Sequence, residues 1–298
     1  MRMRDLQTDL QTDPQTEWMT AMRRGDEAAA WAVSDAVLAA RDPATRDDPG
    51  LPYHLRWVWD GQPFEDRHVL VRCYHGLGDT LQFVRFLPAL RAQAASVTLE
   101  VQPALRGLLA DASGADKVIA FDAASPAPAS GCDVEIMELA HALRLPADAM
   151  PVPYLRVAAA SAGGVGLCWR AGGWDAARSV PLALLASALA MRELVCLQPE
   201  PAPEWLRVRN PQGCGADIAG TAALIAGLDL VVTVDTMVAH LAGALGVATW
   251  LLLKHDADWR WMRGRADSPW YPSMRLFRQP APGDWAGVAA EVRAAAAG

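Results

Sequence analysis

Residues 230–253 read LVVTVDTMVAHLAGALGVATWLLL, an apolar run in which Asp235, Thr236 and His240 are the groups that could do chemistry. Thr236 and His240 are four apart, so on a helix they share one face. A phosphate at the start of that helix would take backbone N–H bonds, the Thr236 hydroxyl and an imidazole N–H. Asp235 would repel a phosphate and suits sugar hydroxyls instead. A structural role fits the same residues: Asp235 or Thr236 as a helix cap, and His240 as a half-buried, hydrogen-bonded histidine. A second constellation is His75-Gly76-Leu77-Gly78-Asp79. Its glycines allow close backbone approach, and Asp79 is either a plain cap or a base projecting into a cleft. Arg85 lies further along the same expected helix. The dinucleotide fingerprint is not met, because Leu81 occupies the third glycine position of GxGxxG. That argues against a dehydrogenase or epimerase.

The elements that must position these groups are legible as alternating strands and helices. Residues 230–234 form a continuous β-branched run, as in a strand buried on both faces of a parallel sheet. A helix is expected over 237–245, with Gly246 at the left-handed C-terminal position, and a second buried strand over 247–253. Ala239, Ala242, Gly243 and Ala244 let that helix lie close to the sheet. Upstream, residues 69–74 predict a strand and 80–91 a helix. Strand and helix patterns then alternate through 96–101, 105–110, 117–121 and 134–137. This order implies a parallel sheet with right-handed crossovers. A Pro/Ala-rich piece near 151–164 reads as a domain boundary. A second sheet is expected from 165–169, with a strand over 194–197 ending at Gln198 and a helix over 216–226. The expected division is a helical N-terminal extension over 1–50, one α/β domain over 51–160 and another over 161–298. Each α/β half has a polar strand–helix turn, which places a cleft between them, and the last helix, 285–296, is expected near the seam.

The chain has 298 residues, 52% of them hydrophobic and 20% charged, with a net charge of −7. This is an ordinary globular composition, long enough for two cores, and its acidity argues against a general nucleic-acid binder. No run has the length and flanks of a membrane span. The first residues carry an imperfect LQTD repeat, expected to be frayed, and lack the apolar segment of a signal peptide. Five cysteines without CxxC spacing suit reduced thiols in a cytoplasmic protein. Residues 17–40 predict two short helices broken at Gly25-Asp26, similar to one tetratricopeptide-type hairpin. A single such unit must dock on something to bury its apolar face. Asp256-Ala257-Asp258 is formally a DxD triplet, which otherwise reads as a solvated loop beside Trp259 and Trp261.

GLGDTLQFVRFLPAL, followed far downstream by DLVVTVDTMVAHLAGALG, resembles the glycosyltransferase family that contains the ADP-heptose:lipopolysaccharide heptosyltransferases (family 9). The tail DADWRWM…DSPWYPSMRLFRQPAPGDW is similar to the branch found behind tetratricopeptide repeats. The resemblance covers residues 69 to 298. It implies a GT-B fold, two Rossmann-like domains facing across a cleft, with the donor nucleotide-sugar mainly on the C-terminal domain and the acceptor on the N-terminal one. It implies no cofactor and no metal. Carried onto this sequence, Asp79 matches the proposed catalytic base. Asp235, Thr236 and His240 match the group that holds the donor diphosphate and sugar. Arg178 falls near the family's basic phosphate-contacting residue, where the heptosyltransferases have Lys. Trp169, Arg170 and Gln198 line the same donor pocket, and Gly78 belongs to the glycine turn. Met237 stands where Gly or Ser is usual and narrows the pyrophosphate site. The expected activity is metal-independent sugar transfer from a nucleotide-diphosphate donor to a hydroxyl of a glycan, lipid-linked glycan or protein. A catalytically weak nucleotide-sugar-binding module is the alternative. Asp79 is expected to sit across the cleft from Thr236, on the opposite domain, with its carboxylate reachable by solvent.

Overall fold

The computed structural model describes residues 13–297 apart from 129, 161, 174 and 191; the LQTD repeat lies outside them except for Asp13. The first described elements are two helices, α1 (Pro14–Arg24) and α2 (Glu27–Ala40). Asp13 caps α1 by accepting the Thr16 N–H, and Asp26 caps α2 by accepting the Ala29 N–H. Gly25 ends α1 at φ 75°, a conformation glycine adopts without strain. The hairpin docks rather than standing free. Trp18 meets Trp259 edge-on at 4.9 Å, and Asp35 takes bonds from His141 and Arg144.

A first parallel sheet follows, made of β1 (His68–Arg72), β2 (Ser96–Val101), β3 (Lys117–Ala120) and β4 (Asp133–Glu135) in the order β3-β2-β1-β4. Its helices are α3 (Leu77–Phe83), α4 (Leu87–Arg91), α5 (Pro103–Leu109) and α6 (Leu139–Ala142). The helix expected from residue 80 begins at Leu77, because Asp79 accepts the Gly76 N–H from inside the first turn and so nucleates it earlier. An irregular segment over 143–164 leads into a second parallel sheet. It comprises β5 (Val165–Cys168), β6 (Leu194–Cys196), β7 (Leu230–Val234), β8 (Thr249–Leu253) and β9 (Met274–Arg278), ordered β6-β5-β7-β8-β9. Helices α7 (Leu182–Ala188), α8 (Ile218–Ile225), α9 (Met237–Ala244) and α10 (Trp285–Ala297) accompany it.

The two sheets share no strand. Helices α3 and α9 pack against each other where the halves meet, through a point too tight for a side chain. A Cβ on Gly78 would stand 2.8 Å from Cδ2 of the buried His240 ring. Gly78→Ala is therefore expected to cost about 1–3 kcal/mol through overpacking, read as a lower melting temperature. An unchanged melting temperature would mean that the helices separate freely there.

One expectation is corrected. The last helix, α10, does not lie at the seam. Trp285, Val288 and Val292 bury into the core of the second half with Leu185, Leu189 and Phe277, and Arg192 and Arg293 tie α10 to the α7 region through Ala296 O and Ser187 Oγ. An Ala-rich amphipathic stripe fixes a buried face but not the sheet that receives it.

Candidate active site

In each sheet the chain leaves one central strand in one direction and later returns to its other side, between β1 and β4 and between β5 and β7. Open α/β folds bind ligands at the carboxyl ends of the strands at such switch points. The turns after β1, β5 and β7 converge on one cavity of about 420 Å³. Gly76, Gly78 and Asp79 line it from the first half, and Cys168, Arg170, Gln198, Asp235, Thr236, Met237 and His240 from the second, with Arg178, Asp258 and Arg260 at its charged wall.

Thr236 is the N-cap of α9, its hydroxyl accepting the Val238 N–H at 3.3 Å. The start of α9 therefore opens on the cavity, where the helix dipole favours an anion. Arg178 is held beside it, donating from Nη1 to the Asp235 carbonyl at 2.7 Å. Gln198 accepts the backbone N–H groups of Trp169 and Arg170 at 3.1 and 3.0 Å and so fixes the loop after β5. Burial pushes the Asp235 carboxyl up to about 6, with nearby Asp258 adding to the rise.

Two site expectations change. The Trp169 side chain points away from the cavity into the core of the second half. Along an extended chain alternate residues face opposite sides, so Cys168 and Arg170 reach the cavity and Trp169 does not. His240 supplies no charge. It is buried, stacked on Trp261 and bonded through Nδ1 to the Tyr271 hydroxyl at 2.9 Å. Burial first, then Arg260 and Arg85, hold it well below the usual histidine range, so it is neutral. Asp79 is reachable by solvent as expected, its side chain 24% exposed, but neither oxygen is without a partner: Oδ2 accepts the Gly76 N–H at 2.9 Å and Oδ1 the Arg260 Nη2 at 2.5 Å.

Arg260, which also lines this cavity, is absent from the expected site residues. It is buried and reaches across the seam to Asp79 and to Gln82 Oε1 at 2.7 Å, while Nη1 meets Asp258 at 2.9 Å. The available signal was an arginine placed between two tryptophans, WRW, in a stretch otherwise read as a solvated loop. The DxD triplet is divided between arginines: Asp256 pairs with Arg263 and Arg23, and Asp258 with Arg260. Among the described residues no group of three or more His, Cys, Asp or Glu side chains is arranged to hold a metal ion.

No family model and no curated protein sequence matches the chain. Solved structures do. A glycosyl transferase family 9 protein from Veillonella parvula DSM 2008 aligns with TM-score 0.52 at 11% identity, over 73% of this chain and 87% of its own. E. coli ADP-heptose lps heptosyltransferase II aligns with TM-score 0.53 at 14% identity, over 76% and 98%. E. coli heptosyltransferase WaaC with ADP-2-deoxy-2-fluoro heptose aligns with TM-score 0.50 at 14% identity, over 77% and 97%. The chain has the fold of the family 9 glycosyltransferases. Likeness at this identity concerns the fold alone. Among the described residues no helix is long and apolar enough to cross a membrane.

Proposed function

We propose that the protein is a glycosyltransferase of GT-B type that moves a sugar, heptose from ADP-heptose foremost, from a nucleotide-diphosphate donor to an acceptor hydroxyl. The donor half is 161–298 and the acceptor half 51–160, with residues 1–50 an added helical extension. The observation that carries this reading is the capped start of α9 opening on a cavity walled by Arg178, Arg170 and Arg260 and faced by Asp79 from the other half. A diphosphate leaving group needs positive potential where its charge develops. The helix start and Arg178 supply it, and arginine suits bidentate phosphate contact. His240, being neutral, holds shape and offers at most its Nε2 edge. This reading calls on no cofactor and no metal. The tetratricopeptide-associated branch agrees with a docked helical hairpin at the N-terminus.

Calorimetric titration with ADP-heptose and other ADP- and UDP-sugars, followed by measurement of nucleoside diphosphate release, tests the proposal. Binding of a nucleotide-sugar with slow release supports it; absence of binding by the whole panel overturns it. Binding without release in the presence of any acceptor would favour the non-catalytic module.

The Asp235 carboxyl adds a pH dependence. It is neutral below about pH 6 and charged above. A bound diphosphate meets a neutral group in the first range and an anion in the second, so donor affinity is highest below about pH 6. It is expected to fall several-fold as the pH rises through that value, while the sugar diphosphate itself does not titrate. Asp235→Asn should flatten the profile; an unchanged profile would place Asp235 away from the diphosphate.

A further inference from the structure

The larger cavity, about 790 Å³, lies elsewhere: beneath the α1–α2 hairpin, at the switch point of the first sheet. Its volume is in the range of small-molecule sites. Tryptophans dominate the wall, Trp18, Trp31, Trp57, Trp59, Trp259 and Trp270, and Glu135 lies at the end of β4 beside them. His75, immediately before the Gly76 that lines the donor cavity, also lines this one. The two cavities thus adjoin across the turn that carries Asp79.

Two polar atoms of this wall lack partners: Glu135 Oε1 and Trp270 Nε1, both buried. Leaving such groups unsatisfied is costly. Glu135 Oε2 accepts the Met137 N–H at 2.7 Å. Burial pushes this carboxyl well above the ordinary range, opposed by the backbone N–H groups of Met137 and Tyr74, which favours the protonated form and makes Oε1 the place for its proton. Both orphan atoms therefore present N–H or O–H donors. The arginines of this wall, Arg41 and Arg56, are already paired with Glu138 and Asp47, and Arg41 lies over one face of Trp57 at 5.0 Å. Beside these paired charges the wall offers flat apolar faces and the two donors.

We propose that this cavity is a saccharide-binding site, in which a neutral sugar stacks on the half-buried indoles of Trp31 and Trp57 and its oxygens accept from Glu135 Oε1 and Trp270 Nε1. Aromatic faces take the C–H face of a pyranose, and neutral donors suit its hydroxyl and ring oxygens. That the bound sugar is the acceptor rests on the transferase reading, since the cavity opens beside Asp79. The hairpin is then a wall of the site and not only an appendage.

The test uses the full chain, tryptophan fluorescence and calorimetry. The probes are methyl glycosides of hexoses, heptoses and N-acetylhexosamines, oligosaccharides built from them, and Leu- and Phe-bearing tripeptides for comparison. ADP binding is measured in parallel. At least one oligosaccharide should bind, and Trp57→Ala or Trp31→Ala should weaken it about tenfold with ADP affinity unchanged. Glu135→Ala should weaken it too, whereas Glu135→Gln, which keeps an N–H donor, should retain most of it. If ADP binds and no saccharide does, or if saccharide binding ignores both tryptophan variants, this inference falls while the donor proposal stands. Tryptophan-sensitive binding of the tripeptides alone overturns it in favour of a peptide site. If saccharides bind as described and ADP does not, the donor proposal is the one that fails.

Discussion

Asp79→Asn is expected to lower kcat by roughly 10²-fold or more, the usual scale for losing a general base, while donor affinity changes little. Asp79 is the carboxylate that the first half contributes to the 420 Å³ cavity, and in the proposed transfer an acceptor hydroxyl attacking a sugar there needs a proton acceptor. Its engagement with Gly76 and Arg260 alters the rest of the expectation. Read as a simple replacement, Asn keeps the shape and the cap, so melting should hardly move. In the structure both oxygens are acceptors, and an amide can accept with only one. The other end would set an NH₂ against either the Gly76 N–H or the Arg260 guanidinium. Asp79→Asn should therefore also lower the melting temperature. Arg260 occupies Oδ1 in this arrangement, so an acceptor hydroxyl approaching Asp79 is expected to share or displace that contact. Turnover near wild type, with only stability reduced, would make Asp79 a cap and latch and move the search for the base to His75.

Arg260→Met is expected to have the largest effect on stability. The side chain is only 9% exposed and satisfies Asp79, Asp258 and Gln82 together, with its guanidinium 4.4 Å over the Trp259 ring. Methionine retains much of the volume but leaves the two carboxylates without their common partner, near the already burdened Asp235. Breaking a buried pair by removing one member costs about 3–5 kcal/mol, which corresponds to a melting temperature lower by roughly 5–15 °C. Donor affinity should fall about tenfold or more, because a diphosphate would approach uncompensated carboxylates. Arg260→Lys should recover part of the stability but not the three-way contact, since an ammonium cannot fork as a guanidinium does. Melting of Arg260→Met at the wild-type temperature would refute this role at the seam.

The parts of the site that could be read in the sequence are those set by local chemistry. The run 230–234, the Thr236 cap and Gly246 at φ 73° specify β7, the start of α9 and its end within a few residues. The glycines of residues 76–78 marked a close approach, and the structure supplies the neighbour, His240. What could not be read depends on residues far away in the chain. The neutrality of His240 follows from Trp261 and Tyr271, which come from the tail, and from Arg85 and Arg260. The state of Asp79 depends on a residue 181 positions later. Strand β9 was hidden because Met274–Arg278 alternates with charged residues and gains its parallel partner, β8, only once the sheet is assembled. Trp169 was recoverable from strand alternation alone, since Cys168 and Arg170 flank it on the other face.

The most direct measurement is a crystal structure of the protein with ADP-heptose or, failing turnover-stable donor, ADP. The diphosphate is expected at the first-turn amides of α9, beside Thr236 and Arg178, with the sugar end directed toward Asp79 and displacing part of the Arg260 contact. A nucleotide bound elsewhere, or an α9 start left unoccupied at saturating ADP, would contradict this placement.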